Sequence, residues 1–564
     1  GASIATVTAD AVSGAWSYQL LTPLTNGTTY NFAVSQTVNL IPSGQSPNYA
    51  ITIDTTAPLA PLITSIIDDV SPGSGPLDKG QMTNDSRPTL NGTGEAGATI
   101  TLYDNGIAYA TTTVNSNGFW SFTPTDALGE GNHLFTARAT DAAGNQGDAS
   151  ADFLIIVDTL IPNAPSIVTV TDNVGTIQNL TSGQSTNDNT PTLTGVTEAD
   201  SIVTIRDGNT VIGTTTSDAS GNWSFTPAPA LSEGSHSLTA TVTDGAGNIS
   251  PAAPPFVVVV DTLAPAAPSI TSVIDDQPGS TLLTNGQLTN DAQPTLSGTT
   301  EANAIVTIRS NGTIIGTANA DGSGSWSFTP TNALAQGENI FTVTATDAAG
   351  NTSGASASFT VLVDSVAPSA PVILTVQDNT APTTGPISNG QISNESRPAL
   401  SGTGEVGATI TVLSDGQPIG TTIVGAGGTW NFTPSTALGN GLHTLTVTAT
   451  DSAGNTSLPS GGFTYTVDTQ APAAPVITQV ADDVGPLTGN LNNGQATNDA
   501  RPTLSGTAEA NSTVRIYDNG SFIGSITADS TGAWIFTPGT ALSNGNHTLT
   551  VTATDAAGNV SSTS

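Results

Sequence analysis

The chain is 564 residues long and carries 44 acidic residues against 8 basic ones, a formal net charge of −36. That balance excludes nucleic acid and anionic membrane surfaces as partners, because both are recognised through clustered Lys and Arg. There is no cysteine, hence no disulfide or thiolate metal site, and no run of about 18 apolar residues that could insert into a bilayer.

A tryptophan returns every 103 or 104 residues, at Trp16, Trp120, Trp223, Trp326, Trp430 and Trp534, each followed two positions later by Tyr or Phe. A period of domain length marks an array of modules. Gly 60 and Pro 35 would suggest disorder if unphased, but here turn clusters alternate with short apolar runs at fixed intervals, the pattern of packed strands.

In chain order, residues 1–54 read as a partial, divergent repeat holding only late strands. Its registration on Trp16 places Thr37 where the other copies have an acid. The linker Asp54-Thr-Thr-Ala-Pro58 opens the first complete repeat, 55–158. Further repeats are expected at 159–261, 262–364 and 365–468, with a last one at 469–564 that lacks its final strand, so the chain reads as a segment of something longer. Prolines such as Pro265 and Pro268 fix φ in these linkers and favour an extended, semi-rigid path.

Within the third repeat, strands are predicted at 269–273, 295–298, 305–309, 313–317, 326–329, 340–346 and 359–363. Residues 276–291 are left as a loop, and 310–312 form a hairpin turn. Seven or eight strands in about 100 residues without a helical period predict an all-β fold, tandem immunoglobulin-like antiparallel β-sandwiches in a linear array. Each recurrent Trp is expected between the sheets as a core anchor.

Five positions per repeat stay acidic and account for more than half of all acidic residues. In order they are Asp54, Asp68, Asp85, Glu95 and Asp141; Asp158, Asp172, Asp188, Glu198 and Asp244; Asp261, Asp275, Asp291, Glu301 and Asp347; Asp364, Asp378, Glu395, Glu405 and Asp451; and Asp468, Asp482, Asp499, Glu509 and Asp555. A sixth position alternates, as Asp69, Asn173, Asp276, Asn379 and Asp483, and is at most an auxiliary ligand. In an immunoglobulin-like topology the Glu198 and Asp244 loops lie at the leading pole of a domain, and the Asp68 and Asp85 loop at the trailing pole of the one before. The linker Asp158 stands between them. Carboxylates gathered there with so few basic residues call for a hard divalent cation, and Ca²⁺ accepts an irregular set of oxygen ligands better than Mg²⁺. The competing reading is that Asp and Asn cap turns, and it is preferred for Asp104, Asp207, Asp415 and Asp518 in the hairpins.

His133, His236, His443 and His547 share one repeat position, with Asn339 in the third copy. One His per module cannot assemble a zinc site, so a structural strand-edge residue is expected. No nucleophile elbow or phosphate loop appears, and identical acids in every copy argue against catalysis, so the chain reads as no enzyme.

The motifs Asp-Thr-x-Ala-Pro-x-Ala-Pro, Thr-Asn-Asp-x-x-Pro-Thr-Leu-Ser-Gly-Thr-x-Glu-Ala, Gly-x-Trp-x-Phe-Thr-Pro and Thr-Asp-Ala-Ala-Gly-Asn together resemble the bacterial Ig-like repeats of giant secreted adhesins, the SiiE and biofilm-associated Bap class. The resemblance covers essentially the whole chain. It implies a secreted or bacterial cell-surface protein exported by a type I system, with Ca²⁺ bound near domain junctions through the acids above. The expected function is that of a non-enzymatic extender stalk for cell adhesion or biofilm formation. Its partners would be neighbouring repeats and, through regions outside this segment, a host-cell or biofilm-matrix receptor. Alternatives are Ca²⁺-dependent glycan- or self-binding modules, or spacers of a secreted polysaccharide-degrading enzyme.

Overall fold

A computed structural model of the chain describes residues 2–564, and every helix or strand in it is a β-strand. The described residues fall into two compact units, one running to Ala264 and including 348–351, the other holding 265–347 and 352–564.

The second repeat serves as the template. Its strands are β1 (Ser166–Asp172), β2 (Gln178–Asn179), β3 (Ser185–Thr186), β4 (Thr192–Val196), β5 (Ile202–Asp207), β6 (Thr210–Thr216), β7 (Asn222–Phe225), β8 (Gly234–Thr243) and β9 (Phe256–Val260). One sheet runs β2-β1-β4-β7 and the other β3-β9-β8-β5-β6. All pairs are antiparallel except β3 with β9, where Ser185 and Thr186 run parallel to Val259 and Val260. The alternation that makes β5 a strand is visible in its burial: Val203 and Ile205 face inward while Ile202 and Thr204 do not.

The two inner faces meet in a core of Val170, Leu193, Val203, Ile205, Trp223, Leu238 and Val258. Each such side chain stabilises the sandwich by roughly 1.5–3 kcal/mol through burial. Trp223 lies across β4 against Gly195, its pairing partner. A Cβ at Gly195 would stand 1.9 Å from the Ser166 carbonyl and 2.4 Å from the indole Cζ2. The indole therefore occupies the space a side chain would need.

The same sheets recur in the first, third and fourth repeats, the first adding a short strand, Gln146–Ala149, beside Gly131–Thr140. All seven strands predicted in the third repeat are present, with bounds shifted by a few residues. The stretch 276–291, expected as loop, holds two short strands, Thr281–Leu282 and Gln287–Thr289. Strands of two or three residues carry no periodic signal, and the second of these is fixed by parallel pairing with a strand some 70 residues on. The last repeat has a three-stranded second sheet that ends with Leu549–Thr554. In residues 2–54 only two small hairpins form, Thr28–Phe32 with Tyr49–Ile53 and Thr37–Val38 with Ile41–Pro42. Trp16 is correspondingly 53% exposed and is not a core anchor, whereas Trp120, Trp223, Trp326, Trp430 and Trp534 are buried. Among the described residues no second sheet covers it.

Candidate functional site

Where β1 ends, the buried Asp172 accepts hydrogen bonds from Thr186 Oγ1 (2.9 Å) and the Val174 N–H (2.8 Å). Asp188, just past β3, accepts from the Asn173 and Thr190 N–H groups at 2.8 Å, and its own N–H donates to Thr186 Oγ1 at 3.0 Å. One hydroxyl thus joins two acids. Thr83 does the same for Asp68 and Asp85, Thr289 for Asp275 and Asp291, Ser393 for Asp378 and Glu395, and Thr497 for Asp482 and Asp499. The alternating position is exposed as Asp69, Asp276 and Asp483, and Asp276 turns its carboxylate to Thr295 Oγ1 at 2.5 Å.

At the opposite pole, Asp244 Oδ1 accepts from the N–H groups of Ala246, Gly247 and Asn248 at 2.8–2.9 Å, which folds the loop after β8 around one carboxylate. Its Oδ2 accepts from Asn248 Nδ2 at 2.9 Å. Asn248 Nδ2 also donates to the backbone carbonyl of Asp158 at 2.8 Å. Asp141, Asp451 and Asp555 hold Asn145, Asn455 and Asn559 in the same way. Those amides reach the carbonyls of Asp54, Asp364 and Asp468 at 2.7–3.0 Å. Within the first unit, Asn351 donates to the Asp261 carbonyl at 2.7 Å. Asp347 is buried and engaged.

The linker residue is therefore gripped from two sides. The Asp158 N–H donates to Thr83 O of the first repeat at 2.9 Å while its C=O accepts from the second. The following residue is latched as well: Thr159 N–H donates to Glu130 at 3.0 Å, and its hydroxyl bonds the same carboxylate. Glu233 holds Thr262, Gln336 holds Ser365 and Asn440 holds Thr469 in the same manner.

Four of the five recurrent acids thus take part in the hydrogen-bonded frame of a junction. The fifth does not: Glu95, Glu198, Glu301, Glu405 and Glu509 are exposed, and no hydrogen bond reaches their carboxylates. Turn capping, the reading the sequence offered against calcium, is what these Asp side chains visibly do. Among the described residues no group of three or more His, Cys, Asp or Glu side chains is gathered as a metal-ligand set. The donors are nonetheless all oxygens suited to a hard cation, and one end of the frame is electrostatically uncomfortable. Burial pushes the Asp85 carboxyl up from its ordinary range, with the charges of Asp69 and Asp68 adding to the effect. Beside these acids, the side-chain oxygens of Asn84 and Asn394 are buried without a partner, Asn394 being 7% exposed.

The bacterial Ig-like domain family matches residues 62–159, 166–262, 266–365, 369–469 and 473–564. The chain belongs to that family. These bacterial Ig-like repeats are similar to a solved tetra-tandem repeat from the extending region of a large adhesion protein, at 22% identity over 73% of this chain and all of that one, with a TM-score of 0.27. The biofilm-associated protein BSP domain is 12% identical over 73% of this chain and 97% of its own, with a TM-score of 0.14. Fibronectin(III)-like modules of Clostridium thermocellum CbhA are 19% identical over 35% of this chain and 93% of theirs, at 0.22. No curated protein matches the chain. No helix is long and apolar enough to cross a membrane among the described residues.

The bridging amides Asn145, Asn248, Asn351, Asn455 and Asn559 and the latch residues Glu130, Glu233, Gln336 and Asn440 lie outside the five positions that are acidic in every repeat. Their signal was repeat phase alone: an Asn four residues after the loop Asp, and a polar side chain directly before the Gly that opens β8.

Proposed function

We propose that these repeats form a non-enzymatic extender segment of a large bacterial surface or secreted adhesin, held in a stiff line by clamped linkers and by Ca²⁺ at the junctions, in the service of cell adhesion or biofilm formation. The observation that supports it best is the linker aspartate, whose N–H and C=O are bonded to different repeats, as at Asp158 and again at Asp364 and Asp468. A residue so held cannot act as a free hinge. The repetition of one junction frame, an acid pair tied through a hydroxyl and a linker carbonyl held by an asparagine, suits a spacer better than a catalyst.

Calcium enters as a second layer. Asp68, Asp85, Asp158 and Asp244 with Asn84 would hold it at one junction, and Asp378, Glu395, Asp468 and Asp555 with Asn394 at another. The ion would supply positive charge to carboxylates that have few basic neighbours.

Small-angle scattering of the full chain with Ca²⁺ and with chelator tests both layers. The expected outcome is a long maximum dimension with Ca²⁺ and a broader, more flexible ensemble without it, while the far-UV signal of the sandwiches persists. Identical profiles together with a flat calorimetric Ca²⁺ titration would remove the metal from the proposal. A compact particle under both conditions would remove the extender role, and concentration-dependent self-association would favour adhesive modules instead.

A further inference from the structure

One side chain per repeat remains unused by this reading. His236, at the start of β8, places Nδ1 2.7 Å from Asp207 Oδ2 at the end of β5 and Nε2 2.7 Å from the Ser232 carbonyl in the preceding loop. His133 stands between Asp104 and the Gly129 carbonyl at 2.6 and 2.8 Å, and His547 between Asp518 and the Ser543 carbonyl at 2.7 and 2.6 Å. A backbone carbonyl and an ionised carboxylate can only accept, so both ring nitrogens must carry hydrogen for both bonds to form. A neutral imidazole has one N–H. In the third repeat the position is Asn339, whose amide donates to the Ala335 carbonyl at 2.8 Å while its oxygen accepts from Ser310 at 3.2 Å, the same tie made without a charge. The fourth is intermediate: Ser414 Oγ lies 3.1 Å from His443 Nδ1, beside Asp415 at 2.8 Å, and can donate to a neutral ring.

The carbonyl gripped by Nε2 belongs to the residue directly before the linker latch: Ser232 precedes Glu233, which holds Thr262, and Gly129 precedes Glu130, which holds Thr159. We propose that His236 is a proton-binding clamp that fixes the latch loop and so makes the following linker tighter in mildly acidic surroundings than in alkaline ones.

The groups around the ring are consistent with a bound proton. The charged group facing His236 is Asp207 on β5; on the latch loop Glu233 turns its carboxylate to Thr262, and Arg206 turns its guanidinium to the Asn209 carbonyl. At His133 the charged partner is Asp104, with Phe135 stacked on the ring, while Glu130 on the latch loop turns its carboxylate to Thr159. Burial works against charging His236, but the bonds to Asp207 and Ser232 and the Asp207 charge outweigh it and raise its pKa. The bond to Ser543, then that to Asp518, raise that of His547. With the folded value raised, the stabilisation is complete below the unfolded value near 6.5 and is lost as pH rises through the folded one.

The test uses the full chain labelled with ¹⁵N-histidine, titrated by NMR between about pH 5 and 8, with amide exchange of the linkers followed in parallel and corrected for its intrinsic rise with pH. His236 and His547 are expected to titrate above 6.5 with both nitrogens protonated below the midpoint. Protection of the Thr262 amide should fall through that midpoint, on the order of tenfold for each unit by which it exceeds the ordinary value. The Ser365 amide, which follows the histidine-free third repeat, should not respond. The double change Asp207→Ser and His236→Asn, which copies Ser310 and Asn339, should make Thr262 behave like Ser365. Midpoints at or below 6.5, or equal pH responses at Thr262 and Ser365 in the unaltered chain, would overturn the proposal whether or not the double variant folds.

Discussion

Asn248 shows how much one amide can hold. Its two hydrogen-bond commitments, to Asp244 and to the Asp158 carbonyl, cross from one repeat to the linker of another. A hydrogen bond of this kind contributes about 1 kcal/mol net, somewhat more with a charged partner. Asn248→Ala is therefore expected to raise exchange of the Leu160 amide, which rests on Asp158 Oδ1, by about tenfold, while amides of the core strand at Val203 keep their protection. Unchanged protection at Leu160 would mean the linker is held by something else. The same scale shows why acids alone were an incomplete guide. Sequence repetition marked Asp244 and Asp158 as positions that stay acidic, and the expected immunoglobulin-like topology put them at one joint, but neither could show that their connection is an asparagine side chain touching a backbone carbonyl, because carbonyls leave no trace in composition.

At the scale of elements, β4 and β7 set the tolerance of the sandwich. Gly195 leaves room for the Trp223 indole to lie flat on the strand, so Gly195→Ala forces either the indole or the Ser166 carbonyl to move. Overpacking of this sort costs about 1–3 kcal/mol, and loss of cooperative unfolding near repeat two, followed by tryptophan fluorescence in urea, is the expected result. Gly322 has open space around it and ordinary φ, so Gly322→Ala in the third repeat should be close to neutral. Equal effects at the two sites would contradict the role given to the indole. The long strands were readable in advance because alternation of Val, Ile and Thr reports directly on two faces. The two-residue strands β2 and β3 were not, since parallel pairing of β3 with β9 depends on where a distant strand lies.

For the molecule as a whole, −36 charges with eight basic residues make electrostatic self-repulsion a general burden. The few basic groups do little about it: Lys79 pairs with the exposed Asp152, and Arg138 turns to a carbonyl. In chelator, raising monovalent salt from about 0.01 M to about 0.15 M shortens the screening length from roughly 30 to 8 Å and should raise the melting temperature. Millimolar Ca²⁺ should raise it further than the same ionic strength of NaCl. A melting temperature indifferent to both would show that the repeats tolerate their charge without help.

The sequence by itself determined the modular period, the all-β class, the buried tryptophans of the five later copies and the acids that recur at fixed phase, because each is a local pattern copied along the chain. Only the tertiary structure decided that Trp16 is exposed, that the recurrent glutamates stand apart from the junction frame, and that asparagines and latch residues grip the linker from both sides. It also decided that each histidine lies between two acceptors. Those outcomes depend on which backbone groups are brought within 3 Å of a side chain from another strand or another repeat, and such distances are set by folding and not by spacing along the sequence.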